Sequence, residues 1–146
     1  MEATKHLARM NPQKIIMAVR NVKKGNEAKD KIQAETNFNN IEVRELDLSS
    51  FNSVRAFANS IQVSNSMNFN NSQKTEKRLD ILISNAGVAN SIRNMTKDGW
   101  EETIQVNHLS NMLLLILLVP LLRKSAQEFN IEPRIIVVAS AGNFLT

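Results

Sequence analysis

Leu79-Asp80-Ile81-Leu82-Ile83-Ser84-Asn85-Ala86-Gly87 is the stretch whose reading decides the fold. A short isoleucine-rich run ends abruptly in small, turn-forming residues. A run of this length suits a strand buried on both faces, as in a parallel sheet with helices above and below. Sheets of that kind take their ligands in a crevice outside the carboxyl ends of their strands. Ser84, Asn85, Ala86 and Gly87 are therefore expected on the floor of a binding crevice.

Comparable stretches lie on either side. Lys14–Val19 (Lys-Ile-Ile-Met-Ala-Val) predicts a strand with Arg20 at its carboxyl end. Ile41–Leu48 alternates Ile41, Val43 and Leu46 with Glu42, Arg44 and Glu45, and carries Asp47 near its end. Arg134–Ala139 predicts another buried strand, followed by Ser140, Ala141 and Gly142. Helical patterns separate them. Glu2–Met10 offers an approximate apolar face of Ala3, Leu7, Ala8 and Met10, and Asn11-Pro12 ends it. Asn21 can cap a helix running through Glu27 and Lys31; Ser49 or Ser50 can cap one carrying Phe51, Val54, Phe57, Ala58 and Ile61. Trp100 is expected to open a long helix reaching about Lys124, with Pro120 kinking it near its last turn. Residues 62–78 are polar and asparagine-rich and read as a surface insertion, while Asn90–Gly99 reads as a loop. The alternation of helix and strand predicts an α/β fold, a doubly wound parallel sheet with helices on both faces.

The chain has 146 residues, 42% hydrophobic and 22% charged, which suits a single globular domain. It contains no cysteine, so disulfides and thiolate metal sites are excluded, and no tyrosine, which removes one common catalytic acid. The net charge is +4, but the basic residues are spread along the chain without interleaved aromatics. They read as a solvated surface rather than a nucleic-acid groove. The apolar Met112–Leu122 is too short to span a bilayer and reads as a buried helix. The polar N-terminus has no signal-peptide pattern, so a cytoplasmic location is expected, with membrane contact through other segments left open.

In a parallel sheet Arg20, Asp47, Asn85–Gly87 and Ser140 all belong to one edge. Each has a plainer reading. Arg20 is either a solvated residue or a guanidinium placed for a phosphate. Asp47 is either a turn or capping residue or an acceptor for an adenine amine. Asn85 and Gly87 can simply make the turn that leaves the strand, and Ser140 can be a turn serine. Asn107, in Gln-Val-Asn-His, is a poor helix-interior residue, so a buried amide bonding to backbone or to a water is expected there. His6 and His108 lack partners at metal-ligand spacing, and the sequons Asn70-Asn71-Ser72 and Asn94-Met95-Thr96 read as chance matches.

Asp47-Leu48 after a strand, Ser84-Asn85-Ala86-Gly87 after the central strand, Asn107 in the long helix and Ile-Ile-Val-Val-Ala-Ser140 together resemble the short-chain dehydrogenases/reductases. The group similar to retinol dehydrogenases and WW-domain oxidoreductases fits best, and Met1–Arg20 resembles its first helix and second strand. The likeness covers nearly all of the chain outside residues 62–78. It implies an incomplete NAD(P)-binding Rossmann domain over residues 1–146, and hydride transfer between a nicotinamide and an alcohol or carbonyl substrate. By resemblance Arg20 pairs with the 2′-phosphate of NADP, and Val19 stands where NAD-preferring members carry an aspartate. Asp47 and Leu48 meet the adenine, and Asn85, Ala86 and Gly87 lie along the ribose, serine replacing the first residue of the family's Asn-Asn-Ala-Gly. Ser140 matches the catalytic serine and Asn107 the helix asparagine of the proton relay.

Two family features are absent from these 146 residues: the Gly-x-x-x-Gly-x-Gly turn and the Tyr-x-x-x-Lys pair. The first cradles the pyrophosphate at a helix N-terminus. The tyrosine is the acid/base, a role typically worth roughly 10²–10⁴-fold in rate. A fragment of an NADP-dependent oxidoreductase is therefore expected, truncated at both ends, without turnover and with weak or undetectable NADPH binding. The alternative is a non-catalytic binding or assembly partner, pairing with a second copy through residues 100–124. Another doubly wound protein, such as a methyltransferase, is a third reading, disfavoured by the Asn85–Gly87 and Ser140 pair.

Overall fold

The computed structural model describes residues 1–62 and 76–139. They fall into two compact units, Met1–Asp47 and Leu48–Thr146.

In the first unit, helix α1 (Glu2–Arg9) is followed by strand β1 (Ile15–Val19), helix α2 (Val22–Thr36) and strand β2 (Ile41–Glu45). The strands pair in parallel, Ile15 opposite Ile41 through Val19 opposite Glu45. Asn21 caps α2 as expected, its side-chain oxygen accepting from the Lys24 N–H at 3.0 Å. Asn37 ends the helix in the left-handed region at φ 56°. The core is Ala8, Ile32, Phe38 and Ile41, with Ile15 and Met17 packed against it. One expectation for α1 fails: Ala3 and Met10 are exposed, and Lys5 is buried instead. Its ammonium is held by Glu2 at 3.1 Å and by Glu35 of α2 at 2.7 Å. Hydrogen bonds that the Lys5 ammonium donates to Glu35 first, and then to Glu2, raise its pKa above the ordinary range.

In the second unit, helix α3 (Phe51–Ile61) is followed by strand β3 (Ile81–Ser84), a short turn of helix α4 (Glu102–Ile104), a π turn (Gln105–Leu109), helix α5 (Ser110–Phe129) and strand β4 (Arg134–Val137). Ser50 supplies the cap of α3, and Val54, Phe57, Ala58 and Ile61 are buried at the expected spacing. They pack against α5, which buries Leu114, Leu118, Leu121 and Leu122. Each large apolar side chain so buried contributes about 1.5–3 kcal/mol. Glu76 donates its N–H to the Ile61 carbonyl at 3.0 Å, so the chain rejoins the end of α3 after the polar stretch. Of the expected surface insertion, residues 63–75 lie outside the described residues.

Strand β3 is shorter and more open than its sequence suggests. β3 keeps only Ser84 buried, with Ile81 46% exposed. β4, parallel to β3, exposes Ile135, Ile136 and Val137, and Val138 just after it is exposed too. An apolar run reports that a strand is suited to burial; a two-stranded ladder with β3 as the principal described neighbour of β4 does not provide it. The long helix also departs from expectation. Glu101, not Trp100, precedes its first turn, accepting from the N–H groups of Thr103 and Ile104 at 2.9 Å each. These bonds hold the Glu101 carboxyl below its ordinary range. Helix continues to Phe129, so Pro120 lies inside α5 rather than near its last turn. The whole stretch Glu102–Phe129, 28 residues, is long and apolar enough to cross a membrane by length and composition. One side of it packs on α3, and 39% of its apolar window is buried.

Candidate nucleotide wall

Arg20 and Asp47 leave the same end of the β1–β2 sheet. The ladder closes where Leu46 donates its N–H to the Val19 carbonyl at 2.9 Å, so Arg20 and Asp47 both follow the carboxyl ends of parallel strands. Arg20 is exposed and Asp47 half-buried; Leu48, the first residue of the second unit, is buried. Gly25 explains how α2 follows Arg20 so closely. A Cβ there would lie 2.7 Å from Val19 Cγ2 and 2.8 Å from Val43 Cγ1, distances no side chain tolerates.

The second unit builds its site around the segment that leaves β3. Asn85, Ala86 and Gly87 are exposed, and the next residue is clamped. Asn107 Oδ1 accepts from the Val88 N–H at 2.8 Å, and Asn107 Nδ2 donates to the Val88 carbonyl at 2.8 Å. Gly87 lies beneath this amide: a Cβ on it would sit 3.4 Å from Asn107 Oδ1. The backbone partner expected for Asn107 is thus present, but the residue is exposed rather than buried, and it sits in a π turn rather than a regular helix. π turns arise where the i→i+4 ladder is interrupted and often mark functional positions.

Two features have no counterpart in the sequence reading. Asn111 is 5% exposed and binds Ser84, Val106 and Asn107. The signal for it was a second asparagine, four residues after Asn107, at the head of an apolar run. Asp98 accepts from the Phe51 N–H at 2.7 Å and from Gln105 Nε2 at 2.6 Å, while Thr96 donates its hydroxyl proton to Gln105 Oε1. Gln105 is fully buried. The loop before α4 therefore helps cap α3 and pins the π turn.

Ser140 lies outside the described residues. Among the described residues no group of three or more His, Cys, Asp or Glu side chains could hold a metal. For a dinucleotide the donor set fits in part. An exposed guanidinium suits a phosphate, and an open backbone segment held by an amide suits a ribose edge. The described glycines make no pyrophosphate cradle: Gly25 packs on Val19 and Val43, Gly87 lies under Asn107, and Gly99 turns a loop at φ 81°.

Parallel strands joined through helices, with polar residues at their carboxyl ends, define a piece of a Rossmann-type α/β domain. The short chain dehydrogenase family model matches residues 1–144. The chain belongs to the short-chain dehydrogenase family. It is 34% identical over 146 residues to the short chain dehydrogenase sol3 of Alternaria solani, covering 100% of this chain and 47% of that protein. It is 40% identical over 125 residues to retinol dehydrogenase 12 of Bos taurus, covering 86% of this chain and 36% of that one. The chain thus spans less than half the length of these relatives. Among solved structures, a short-chain dehydrogenase from Sphingobium yanoikuyae in complex with NADPH superposes with a TM-score of 0.69 at 19% identity, covering 97% of this chain and 49% of that one. Menthone neomenthol reductase from Mentha piperita gives 0.67 at 23% identity, with 96% and 56% covered.

Proposed function

We propose that this chain forms the cofactor-side wall of an NADP-dependent short-chain oxidoreductase acting on an alcohol or carbonyl substrate. The clamp of Asn107 on Val88, directly after Asn85–Gly87, carries the reading, because it gives a backbone segment at a strand's carboxyl end a fixed shape. In this reading Arg20 meets the 2′-phosphate, Asp47 and Leu48 the adenine, and Asn85, Ala86 and Gly87 the ribose. Asn107 holds the wall, and Ser140 polarises the substrate oxygen. The bound nicotinamide supplies or accepts the hydride. A cytoplasmic location goes with the same reading.

None of the 146 residues is tyrosine. Serine and asparagine do not ionise near neutral pH and are poor replacements for a general acid/base. The isolated chain is therefore expected to show no turnover. Purified protein incubated with NADP and secondary alcohols should behave like its Ser140→Ala variant; oxidation that disappears in that variant would refute the expected inactivity of the isolated chain.

Pairing of two copies through the long helix is a second reading. Ile116, within the apolar run of α5, is 70% exposed. Ile116→Glu should convert a sedimenting dimer to monomer; a monomeric unsubstituted chain rules this reading out.

A further inference from the structure

The Asn107 clamp is itself held by a buried side chain. Asn111 Oδ1 accepts the Ser84 hydroxyl proton at 2.5 Å, and its Nδ2 donates to the carbonyls of Val106 at 2.9 Å and Asn107 at 3.1 Å. Those carbonyls belong to the π turn, where the regular ladder is interrupted and substitute donors are needed. One amide thus ties the last residue of β3 to the turn that carries Asn107. Ser84 precedes Asn85–Gly87 and Val88 follows them, so the exposed segment is fixed at both ends by a closed loop: Ser84 to Asn111, Asn111 to Asn107, Asn107 to Val88. Ser84 and Asn111 are both buried, where hydrogen bonds are shielded from competing water.

We propose that Asn111 is a positioning residue: acting through Ser84 and Asn107, it sets the backbone of Asn85–Val88 in the shape that receives the ribose. This rests on the reading of Asn85–Gly87 as the nucleotide wall. The hydrogen bonds of Asn111 go to Ser84, Val106 and Asn107 and not to that exposed edge. Its contribution is to remove alternative conformations of the edge before a ligand arrives, which lowers the ordering cost of binding.

The Val88 N–H offers a direct readout, because Asn107 Oδ1 is its acceptor. Amide exchange is followed by NMR in the full 146-residue chain and in its Asn111→Ala variant, without nucleotide. Exchange at Val88 should quicken about tenfold, while Val54 and Leu118 in the helical core stay within about twofold. No change at Val88, or an equal rise at all three, overturns the proposal, since the second outcome describes a residue that only supports the fold. Ser84→Ala deletes a single bond of the loop and serves if the first variant does not fold. It leaves the Asn111 amide free to rotate off the two carbonyls and should quicken Val88 about threefold; an unchanged rate then overturns the proposal. NADPH-induced shifts at Asn85–Gly87 in the unsubstituted chain test the wall separately. Resonances of Asn85–Gly87 that stay fixed while other segments shift count against the wall, and a failure of the exchange arm counts against Asn111.

Discussion

Gly25 shows how a single residue is decided by its neighbours. Within a helix, Gly→Ala ordinarily stabilises by about 1 kcal/mol. At Gly25 the added methyl would meet Val19 Cγ2 and Val43 Cγ1 at 2.7 and 2.8 Å. Overpacking of this kind costs about 1–3 kcal/mol, so the expected sign is reversed. Urea unfolding of Gly25→Ala should show a lower midpoint, and a higher one would mean that α2 does not approach the sheet as closely as described. Glu42 gives a second residue-level test. Its carboxylate lies 2.8 Å from Arg44 Nε and 2.6 Å from Lys14 Nζ. Hydrogen bonding to Arg44 first, and then to Lys14, holds its pKa down at about 2. A carboxyl depressed in the folded state adds stability that is present above its unfolded value. That stability is lost as pH falls through the folded value. Glu42 is partly solvated, so the amount is about 1 kcal/mol or less. Between pH 4.5 and about 2, Glu42→Gln should lose less stability than the unsubstituted chain; equal losses would show that the pair contributes nothing.

At the scale of elements, the N-terminal caps of α2 and α3 were the most readable part of the sequence. Asn21 accepts from an N–H of the helix it was expected to cap, and of Ser49 and Ser50 it is Ser50 that does so for α3, because an N-cap needs only a short polar side chain at the right offset. Asparagine also supplies left-handed residues, at Asn11, Asn37 and Asn130, where the chain leaves α1, α2 and α5. Interactions across long separations were not readable. Lys5 is buried because Glu35, on the next helix, lies 2.7 Å away, and the exposure of β4 depends on what packs beside it. The capping of α3 by Asp98, across 47 residues, is of the same kind. Asp98→Ala removes the acceptor of the Phe51 N–H and of Gln105 Nε2, and should cost about 1–2 kcal/mol. Thermal melts should show that loss. Unchanged stability would make the Asp98 contacts incidental.

For the whole molecule, order of motifs mattered more than any one of them. Asp47-Leu48, Asn85–Gly87, Asn107 and Ser140, each ambiguous alone, pointed together to the family that the comparisons establish. Asn107 was legible because asparagine disfavours a helix interior, whereas Asn111 was missed because its partners are the distant Ser84 hydroxyl and two backbone carbonyls of a π turn. The central claim, that Asn85–Val88 is a nucleotide wall, is tested most directly by titrating the labelled chain with NADPH to about 5 mM, which fills most of a site whose Kd is about 1 mM, and following backbone amide resonances. Progressive shifts at Asn85, Ala86, Gly87 and Val88 are predicted, with Arg20 shifting for NADPH and not for NADH. Resonances of Asn85–Val88 that stay fixed while other segments move would contradict the account.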